Sequence, residues 1–583
     1  MIKKCFTFFF FITFFAIIFS PQILQYQIPE NNSLYFGLAQ FNHLYTIFIN
    51  QFSSNSFITS YLYPSNEFIW SDTFLIHFPI YLFSRLLGFG EFYSLWIYLI
   101  VLQSLNGSLF ILYSKRYIKN KWSLIFGALL FCSSNFTLGH IGDPPAAFYG
   151  LFFLTFYFLD IYKDNRNIKY ILYASLICSL QTFSMAYVNL FLQISLFIYF
   201  IFYLRVFRHY IFVFYIPVIF MNFIFFRPYF EKMEDKNFIK VFNNKASATL
   251  HSYNYFSDFF KKLPGNIYFR DGNIKTNSEY LKLSNDLRQN NLEDYISPFV
   301  TEEASYNQNV INTQNIYESK TLYHQIRKSG FFGYSPLLLS IIGILFSPKL
   351  FLMILLIGLT LSVGPFFYIG AKPYIMPLFF FYEYLDIFDF FRVPSRAYFL
   401  VLFAISILSS IGLDKVIQKI KKETIAVFFI IILLIENIPQ PMISYKFVDV
   451  PNELTSFFEN IKNKNILFLP SDLGLFYVSD TNNIFPYSRE YIYMNWKTYL
   501  NNNTPNGNGA YLPLKRIELQ KLLTRVNLGI DLIKLKTKFK VDYIVYAKQL
   551  RLKSEKDMTP YFNSSKILES TFRGKEINVY KFR

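Results

Sequence analysis

Long apolar runs recur along the first three quarters of the chain, separated by shorter polar stretches. Runs of about 18 or more residues with few charges are typical of helices that cross a lipid bilayer. The pattern therefore predicts a polytopic α-helical membrane protein with about eleven transmembrane helices. The predicted spans are residues 5–19, 91–113, 122–138, 146–162, 168–183, 187–204, 210–226, 331–346, 349–361, 394–411 and 424–438.

The first apolar run follows Lys3 and Lys4, as the apolar middle of a signal peptide follows its basic start. A small-residue cleavage site is missing after this run, which favours a retained first helix. In both cases residue 25 and its successors emerge on the outer side. Residues 72–88 are apolar but short, and they predict an interfacial helix rather than a span.

Basic residues follow every second span, which predicts that they share one side of the membrane. Because cytoplasmic loops carry an excess of Lys and Arg, this side is the inner one. The N-terminus is then inside, the C-terminus is outside, and residues 24–90 and 227–330 form outer loops. Residues 364–389 are either outside or re-entrant. The basic clusters contain Lys115, Arg116, Lys119, Lys121, Lys163, Arg166, Lys169, Arg205, Arg208, Lys415, Lys419, Lys421 and Lys422.

From about residue 440 the long apolar runs give way to short alternating ones. This change divides the chain into a transmembrane domain, residues 1–440, and an extracytoplasmic α/β domain, residues 441–583. The second domain has 22 Lys and Arg against 13 Asp and Glu. That excess fits either a solvated surface or one that holds anionic headgroups or an anionic substrate. Strands are predicted at 465–470, 541–547, 567–570 and 577–582, and helices at 452–461 and 514–526, while 534–540 stays open between helix and strand.

The composition agrees with a membrane protein, since 53% of the residues are hydrophobic and 21% are aromatic. Part of the formal charge of +18 comes from the inner loops, so it does not indicate nucleic-acid binding. Cys5, Cys132 and Cys178 lie inside apolar runs, which predicts neither a disulfide nor a metal–cysteine site. Motifs for nucleotide phosphates and for soluble hydrolases are absent, and the inner loops are short. We therefore expect any chemistry on the outer face.

The segment Phe381–Phe403 contains the strongest candidate for an anion site. Pro394 suits the first turn of the helix that follows, because its missing N–H would have no partner there. Arg392 and Arg396 flank this proline at the positive end of the helix dipole, an arrangement that favours the binding of a phosphate group. The alternative is that both arginines reach the membrane interface and pair with nearby acids. Those acids are Glu383, Asp386 and Asp389.

Two carboxylates in the outer loops are candidates for catalysis, Glu30 and Asp143. Such a pair can act as general base for an acceptor hydroxyl and as a ligand for a divalent cation. Each has a simpler explanation. Asp143 precedes two prolines and is well placed as a helix N-cap, and Glu30 fits an exposed carboxylate without a role. His140 next to Asp143 does not by itself make a metal site, so the cofactor stays open between none and a divalent cation.

Several stretches resemble bacterial GT-C type membrane glycosyltransferases, which depend on polyprenyl-phosphate sugars, and their uncharacterised relatives. Arg392-Val-Pro-Ser-Arg396 is the best single match, and the resemblance extends over nearly the whole chain. It implies a GT-C-like fold in which Glu30 is the base, at a position where Asp is usual, and Asp143 matches a second acid. The other matching stretches are Tyr61–Asn66, Ser71-Asp72, Phe78-Pro79, Gly139-His140, Leu180-Gln181 with Tyr187, Phe331–Pro336, Tyr493-Met494, Asn506-Gly507 and Val541–Tyr546.

Two functional hypotheses follow. In the first, the protein moves a sugar from a polyprenyl-phosphate donor to a glycan or lipid acceptor on the outer face of a bacterial plasma membrane. Arg392 and Arg396 would then bind the donor phosphate. In the second, it is a non-catalytic membrane protein for translocation or assembly of lipid-linked envelope polysaccharide. A transporter more often carries ionisable residues at mid-membrane, which the predicted spans nearly lack.

Overall fold

The computed structural model of the chain is mostly helical, and four of its described helices are long and apolar enough to cross a membrane. These are Thr7–Leu24, Glu91–Ser114, Lys121–Gly139 and Pro394–Ile420, and five shorter apolar helices accompany them. A membrane protein is thus indicated by length and composition. The described residues are 2–29, 32–49, 76–141, 148–184, 186–234, 238–240, 252, 330–369, 372–385, 393–438, 444–462, 464–470, 492–493, 495–496, 499–500, 511–513, 519, 532–551 and 557–583.

The helices of the described residues are numbered in chain order. They are α1 (Ile2–Leu24), α2 (Asn32–Ile49), α3 (Phe78–Leu86), α4 (Glu91–Ser114), α5 (Lys121–Ser133), α6 (Asn135–Gly139), α7 (Gly150–Asn165), α8 (Lys169–Gln181), α9 (Ala186–Phe202), α10 (Leu204–Phe207), α11 (Ile211–Glu234), α12 (Tyr334–Ile344), α13 (Lys349–Val363), α14 (Pro377–Tyr384), α15 (Tyr398–Ile420), α16 (Thr424–Asn437), α17 (Asn452–Phe458), α18 (Leu532–Thr537) and α19 (Thr559–Ser564).

The strands are short, and most lie in the last quarter of the chain. They are β1 (Gln27–Pro29), β2 (Phe238–Lys240), β3 (Phe366–Ile369), β4 (Lys372–Ile375), β5 (Ser444–Lys446), β6 (Ile466–Leu469), β7 (Tyr511–Pro513), β8 (Tyr543–Ala547), β9 (Leu568–Arg573) and β10 (Ile577–Phe582). Three strand pairs, β1–β5, β2–β7 and β3–β4, are antiparallel. A four-stranded sheet has the order β6–β8–β10–β9, in which only β6 and β8 run parallel.

Helix α15 is the centre of the bundle and packs against α5, α12 and α13. Nearly all of it is buried, and its small residues let neighbouring backbones come close. A Cβ on Gly412 would lie 2.0 Å from the carbonyl oxygen of Leu339, and one on Gly343 would lie 1.8 Å from that of Leu408. Small residues at helix crossings are the usual means of close packing within a bilayer. Glycine at both positions is therefore required by the crossing of α12 and α15.

The basic clusters meet at one end of the bundle, which we call the basic end. Asp160 is fully buried there and accepts hydrogen bonds from Tyr117 (2.6 Å), Tyr199 (2.8 Å) and Lys163 (3.0 Å). Arg116 bridges Asp160 and Asp164. Further along the same end, Asn120 and Trp122 donate to Glu423, and Lys415 lies over Phe346. These contacts join the segments 115–122, 160–166, 199–208, 346–351 and 414–423.

Strands β6, β8 and β10 of the four-stranded sheet are buried on both faces, whereas the edge strand β9 is mostly exposed. One face, with Phe468, Val545 and Val579, is continuous with the apolar core of the bundle. The other face, with Ile544 and Tyr580, forms a second core under α18 and α19. The strands predicted at 465–470, 541–547, 567–570 and 577–582 are confirmed within a few residues. The segment 534–540 was left open between helix and strand. Its first lysines, Lys534 and Lys536, lie in α18, and Lys538 and Lys540 lie in the turn after it.

Candidate functional site

Arg396 lies at the end of the bundle opposite the basic end, which we call the site end. It belongs to a 3₁₀ turn, Pro394–Ala397, that leads directly into α15, with Pro394 at the first helical position as predicted. The arginine is only 7% exposed, and its guanidinium lies 4.8 Å from the ring centroid of Tyr187, near the start of α9. A guanidinium over an aromatic face is held by the ring quadrupole. Arg396 is thus buried against the ring of Tyr187. Of the acids named as its alternative partners, Asp386 and Asp389 lie outside the described residues.

The other three predicted site residues, Glu30, Asp143 and Arg392, lie outside the described residues. Of the four, the structure describes Arg396 alone. Their described neighbours in sequence are Pro29, which ends β1, and His140 and Ile141, which follow α6. The competing explanations for Glu30 and for the Asp143 N-cap stay equally open.

Aromatic rings connect the α6 segment to the start of α15. The ring of His140 lies 4.5 Å from that of Phe136, which in turn lies 5.7 Å from Tyr398. His140 Nδ1 is 2.8 Å from the carbonyl oxygen of Phe136, so Nδ1 carries the proton and donates. His140, Tyr187 and Arg396 consequently belong to the same end of the bundle.

His77 and Ser184 form a buried pair at the site end that the sequence did not reveal. His77 Nε2 is 2.8 Å from Ser184 Oγ, and the imidazole packs against the ring edges of Tyr98 and Phe148. Burial lowers the pKa of His77 to about 3, since charging the ring would require water that the site excludes. The imidazole is therefore neutral at physiological pH and acts as a fixed hydrogen-bonding group. Ser184 lies in the turn between α8 and α9, a few residues before Tyr187.

Glu436 stabilises the turn formed by residues Phe331–Pro336. Its carboxylate accepts hydrogen bonds from the backbone N–H of Tyr334 (3.1 Å) and Ser335 (3.3 Å) and from the Ser335 hydroxyl (2.8 Å). It thereby occupies the positive N-terminus of α12, where a carboxylate is stabilised. Gly333 has φ +101° and a Cβ there would lie 2.5 Å from Glu436 Oε2, so only glycine fits the turn. Glu436, which lies in a predicted span, therefore has a structural role: it caps the N-terminus of α12.

A second polar network links the site end to the last quarter of the chain. Asn42 donates to Asn495 (2.9 Å) and accepts from Tyr81 (2.6 Å), while Asn495 donates to Glu91 (3.2 Å). Asn42, Tyr81 and Asn495 are all buried. Nothing in the sequence signalled this network, because its members come from α2, α3, α4 and a segment some 400 residues further on.

The same two regions also pair through backbone and aromatic groups. Strand β1 pairs with β5, and Tyr26 donates to Asp449 at 2.8 Å. The hydroxyl of Tyr35 accepts from the backbone N–H of Val448 at 2.7 Å. The segment that directly precedes Glu30 is therefore held against the beginning of the last quarter of the chain.

Within the described residues, no group of three or more His, Cys, Asp and Glu side chains could hold a metal ion. The described part of the site end offers a buried guanidinium on an aromatic ring, the neutral imidazole of His77, the imidazole of His140 and a wall of aromatic rings. Such a set can bind an anion and the apolar or ring-shaped part of a ligand. No protein-family model and no curated protein matches the chain.

Proposed function

We propose that the protein is a membrane glycosyltransferase that moves a sugar from a polyprenyl-phosphate donor to a glycan or lipid acceptor. The observation that supports it is the buried Arg396, stacked on Tyr187 at the first turn of the central helix α15. A buried, preorientated guanidinium at a helix N-terminus suits a phosphate group. The basic residues gathered at the other end agree with a site on the outer face, where lipid-linked sugars rather than nucleotide sugars are supplied.

The proposal includes the topology predicted from the sequence. The N-terminus is cytoplasmic, about eleven helices cross a bacterial plasma membrane with a GT-C-like arrangement, and residues 441–583 form an extracytoplasmic α/β domain. The contacts of residues 26–35 with residues 444–449 support it, since both segments then lie outside.

In the proposed reaction the carboxylate of Glu30 takes the proton from the acceptor hydroxyl. The acceptor oxygen attacks the anomeric carbon, and the bond from that carbon to the phosphate oxygen breaks. The lipid phosphate leaves with the electron pair, and Arg392 and Arg396 neutralise its charge. Asp143 would support the base or hold a divalent cation, which would supply further positive charge.

The test compares envelope glycans and glycolipids of a deletion strain with those of strains carrying Glu30→Gln or Arg396→Ala. We expect the same glycan to be missing from the deletion strain and strongly reduced in both variants, at unchanged protein level in the membrane. Arg205→Ala, an exposed arginine at the basic end, serves as the matched control and should restore the glycan fully. A normal glycan profile in both site variants contradicts the proposed site.

The second candidate function is translocation or assembly of lipid-linked polysaccharide without catalysis. The basic last quarter of the chain, with 22 Lys and Arg against 13 Asp and Glu, favours it. It predicts that the deletion strain accumulates a complete glycan on the wrong side of the membrane, whereas transfer predicts a glycan that lacks one sugar.

A further inference from the structure

The segment after α13 forms a compact hairpin and helix with unusually few charges. It comprises residues 364–385, which we call the hairpin–helix element, with strands β3 and β4 and helix α14. Nine of its 22 residues are aromatic, and Lys372 and Glu383 are its only charged ones. The sequence left this segment open between an outer and a re-entrant position.

One side of the element is buried in the protein. Phe366 and Leu378 have no exposed surface, Tyr368 and Tyr382 are less than 5% exposed, and the rings of Phe366 and Phe379 lie 5.6 Å apart. The element packs on the end of α13, and Gly364 makes the turn with φ +79°. Its position is therefore fixed relative to the bundle.

The other side of the element exposes large apolar side chains. On α14, Phe380 is 52% and Tyr384 is 77% exposed, and their rings are parallel at 6.5 Å. A helix that is apolar on both its buried and its open face suits lipid rather than water. The exposed apolar residues of the element are Ile369, Tyr374, Ile375, Phe380, Phe381, Tyr384 and Leu385.

The length of α13 indicates how deep in the membrane the hairpin–helix element lies. Its 15 residues span about 22 Å at 1.5 Å per residue, whereas the hydrocarbon layer is about 30 Å thick. With Lys349 at the inner boundary, α13 ends about 8 Å short of the opposite boundary. The element begins there, and the earlier part of α13 also exposes apolar side chains, those of Met353 and Leu356. Tyrosines and other aromatic side chains are typical of this boundary.

We infer that the hairpin–helix element is an interfacial anchor that inserts its exposed aromatic side into the lipid leaflet at the site end. Its partner is the lipid surface itself. The inference does not require glycosyl transfer, and it places the hairpin–helix element at the level of the lipid headgroups, where a lipid-borne anion would arrive.

The test uses the full-length protein in phospholipid nanodiscs, with Cys5, Cys132 and Cys178 replaced by alanine. Nitroxide labels at Phe380→Cys and Tyr384→Cys report collision rates with O₂, which partitions into lipid, and with a water-soluble nickel chelate. Phe220→Cys, on the exposed side of α11, is the lipid control, and Lys462→Cys is the water control. We expect O₂ to be several-fold more effective than nickel at 380 and 384, with a depth shallower than at 220.

Two outcomes overturn the inference. Labels at 380 and 384 that behave as at Lys462 place the element in water. Labels that both reagents fail to reach show that protein covers it, either another segment of the chain or a second copy. The glycan test of Arg396 is independent of both, so failure of one proposal is distinguishable from failure of the other.

Discussion

Arg396 and His77 are both buried basic side chains at the site end, yet their surroundings favour opposite charge states. Arg396 keeps its charge because a guanidinium does not deprotonate in proteins, and the Tyr187 ring compensates part of the lost hydration. His77 is held neutral between Ser184 and two aromatic rings. Among the described residues, Arg396 therefore supplies the site end with a permanent positive charge.

The lowered pKa of His77 makes stability depend on pH with a definite sign. Between about pH 6.5 and pH 3 the unfolded chain binds a proton at this residue that the folded chain does not bind. The stabilisation is thus complete above pH 6.5 and is lost as the pH falls. We expect the stability difference between wild type and His77→Gln to shrink by about 2 kcal/mol from pH 6.5 to pH 5, in detergent unfolding curves.

An equal slope in wild type and His77→Gln would show that His77 is protonated in the folded protein or is open to water.

For single residues, the sequence predicted a structural role only where that role depends on neighbours in the chain, as it does for a proline at a helix start. Pro394 was predicted at a first helical turn and is found there. The hydrogen bonds of Glu436 and Asn495 could not be predicted, because each partner is more than 100 residues away. Arg396 stays a predicted site residue; its contact with Tyr187 could not be predicted, because the position of Tyr187 follows from the packing of α9 against α13.

Among the helices, α12 and α15 cross with their backbones in direct contact, and glycines at the crossing allow this close approach. We expect Gly343→Ser to force the two backbones apart and to cost on the order of 1–3 kcal/mol, because its side chain meets the Leu408 carbonyl. Gly90→Ser is the matched control, since nothing lies within 4 Å of a Cβ there and serine is a good N-cap for α4. Thermal unfolding in the same detergent compares the two, and equal melting temperatures would contradict the close crossing.

Element types were predicted well and element lengths less well. Apolar runs gave the helices, and alternation gave β8 and β10, because both signals are local. Several described apolar helices have only 11–16 residues, fewer than the runs of about 18 or more that are typical of a full span. The hairpin–helix element was left open because a run of aromatic residues has the same composition in a span and at an interface.

For the whole molecule, the hydrogen bond between Asn42 and Asn495 tests whether the two ends of the chain stabilise each other. Asn42→Ala and Asn495→Ala should each cost about 1–3 kcal/mol, because each leaves a buried amide without its partner. In the double variant we expect a coupling energy of about 1 kcal/mol, measured by unfolding titration in mixed micelles. Asn452→Ala, at an exposed position, should add to Asn42→Ala without coupling, whereas purely additive effects of Asn42→Ala and Asn495→Ala would contradict the contact.

The contacts of β1 with β5 have a consequence for how the protein is made. Tyr26 and Asp449 are 423 positions apart, so at 5–20 residues per second the ribosome needs roughly 20–85 s to deliver the partner. During that interval the edge of β1 and the ring of Tyr35 lack the segment that later pairs with them. Until residues 444–449 have been synthesised, the edge of β1 is therefore open to pairing with other segments.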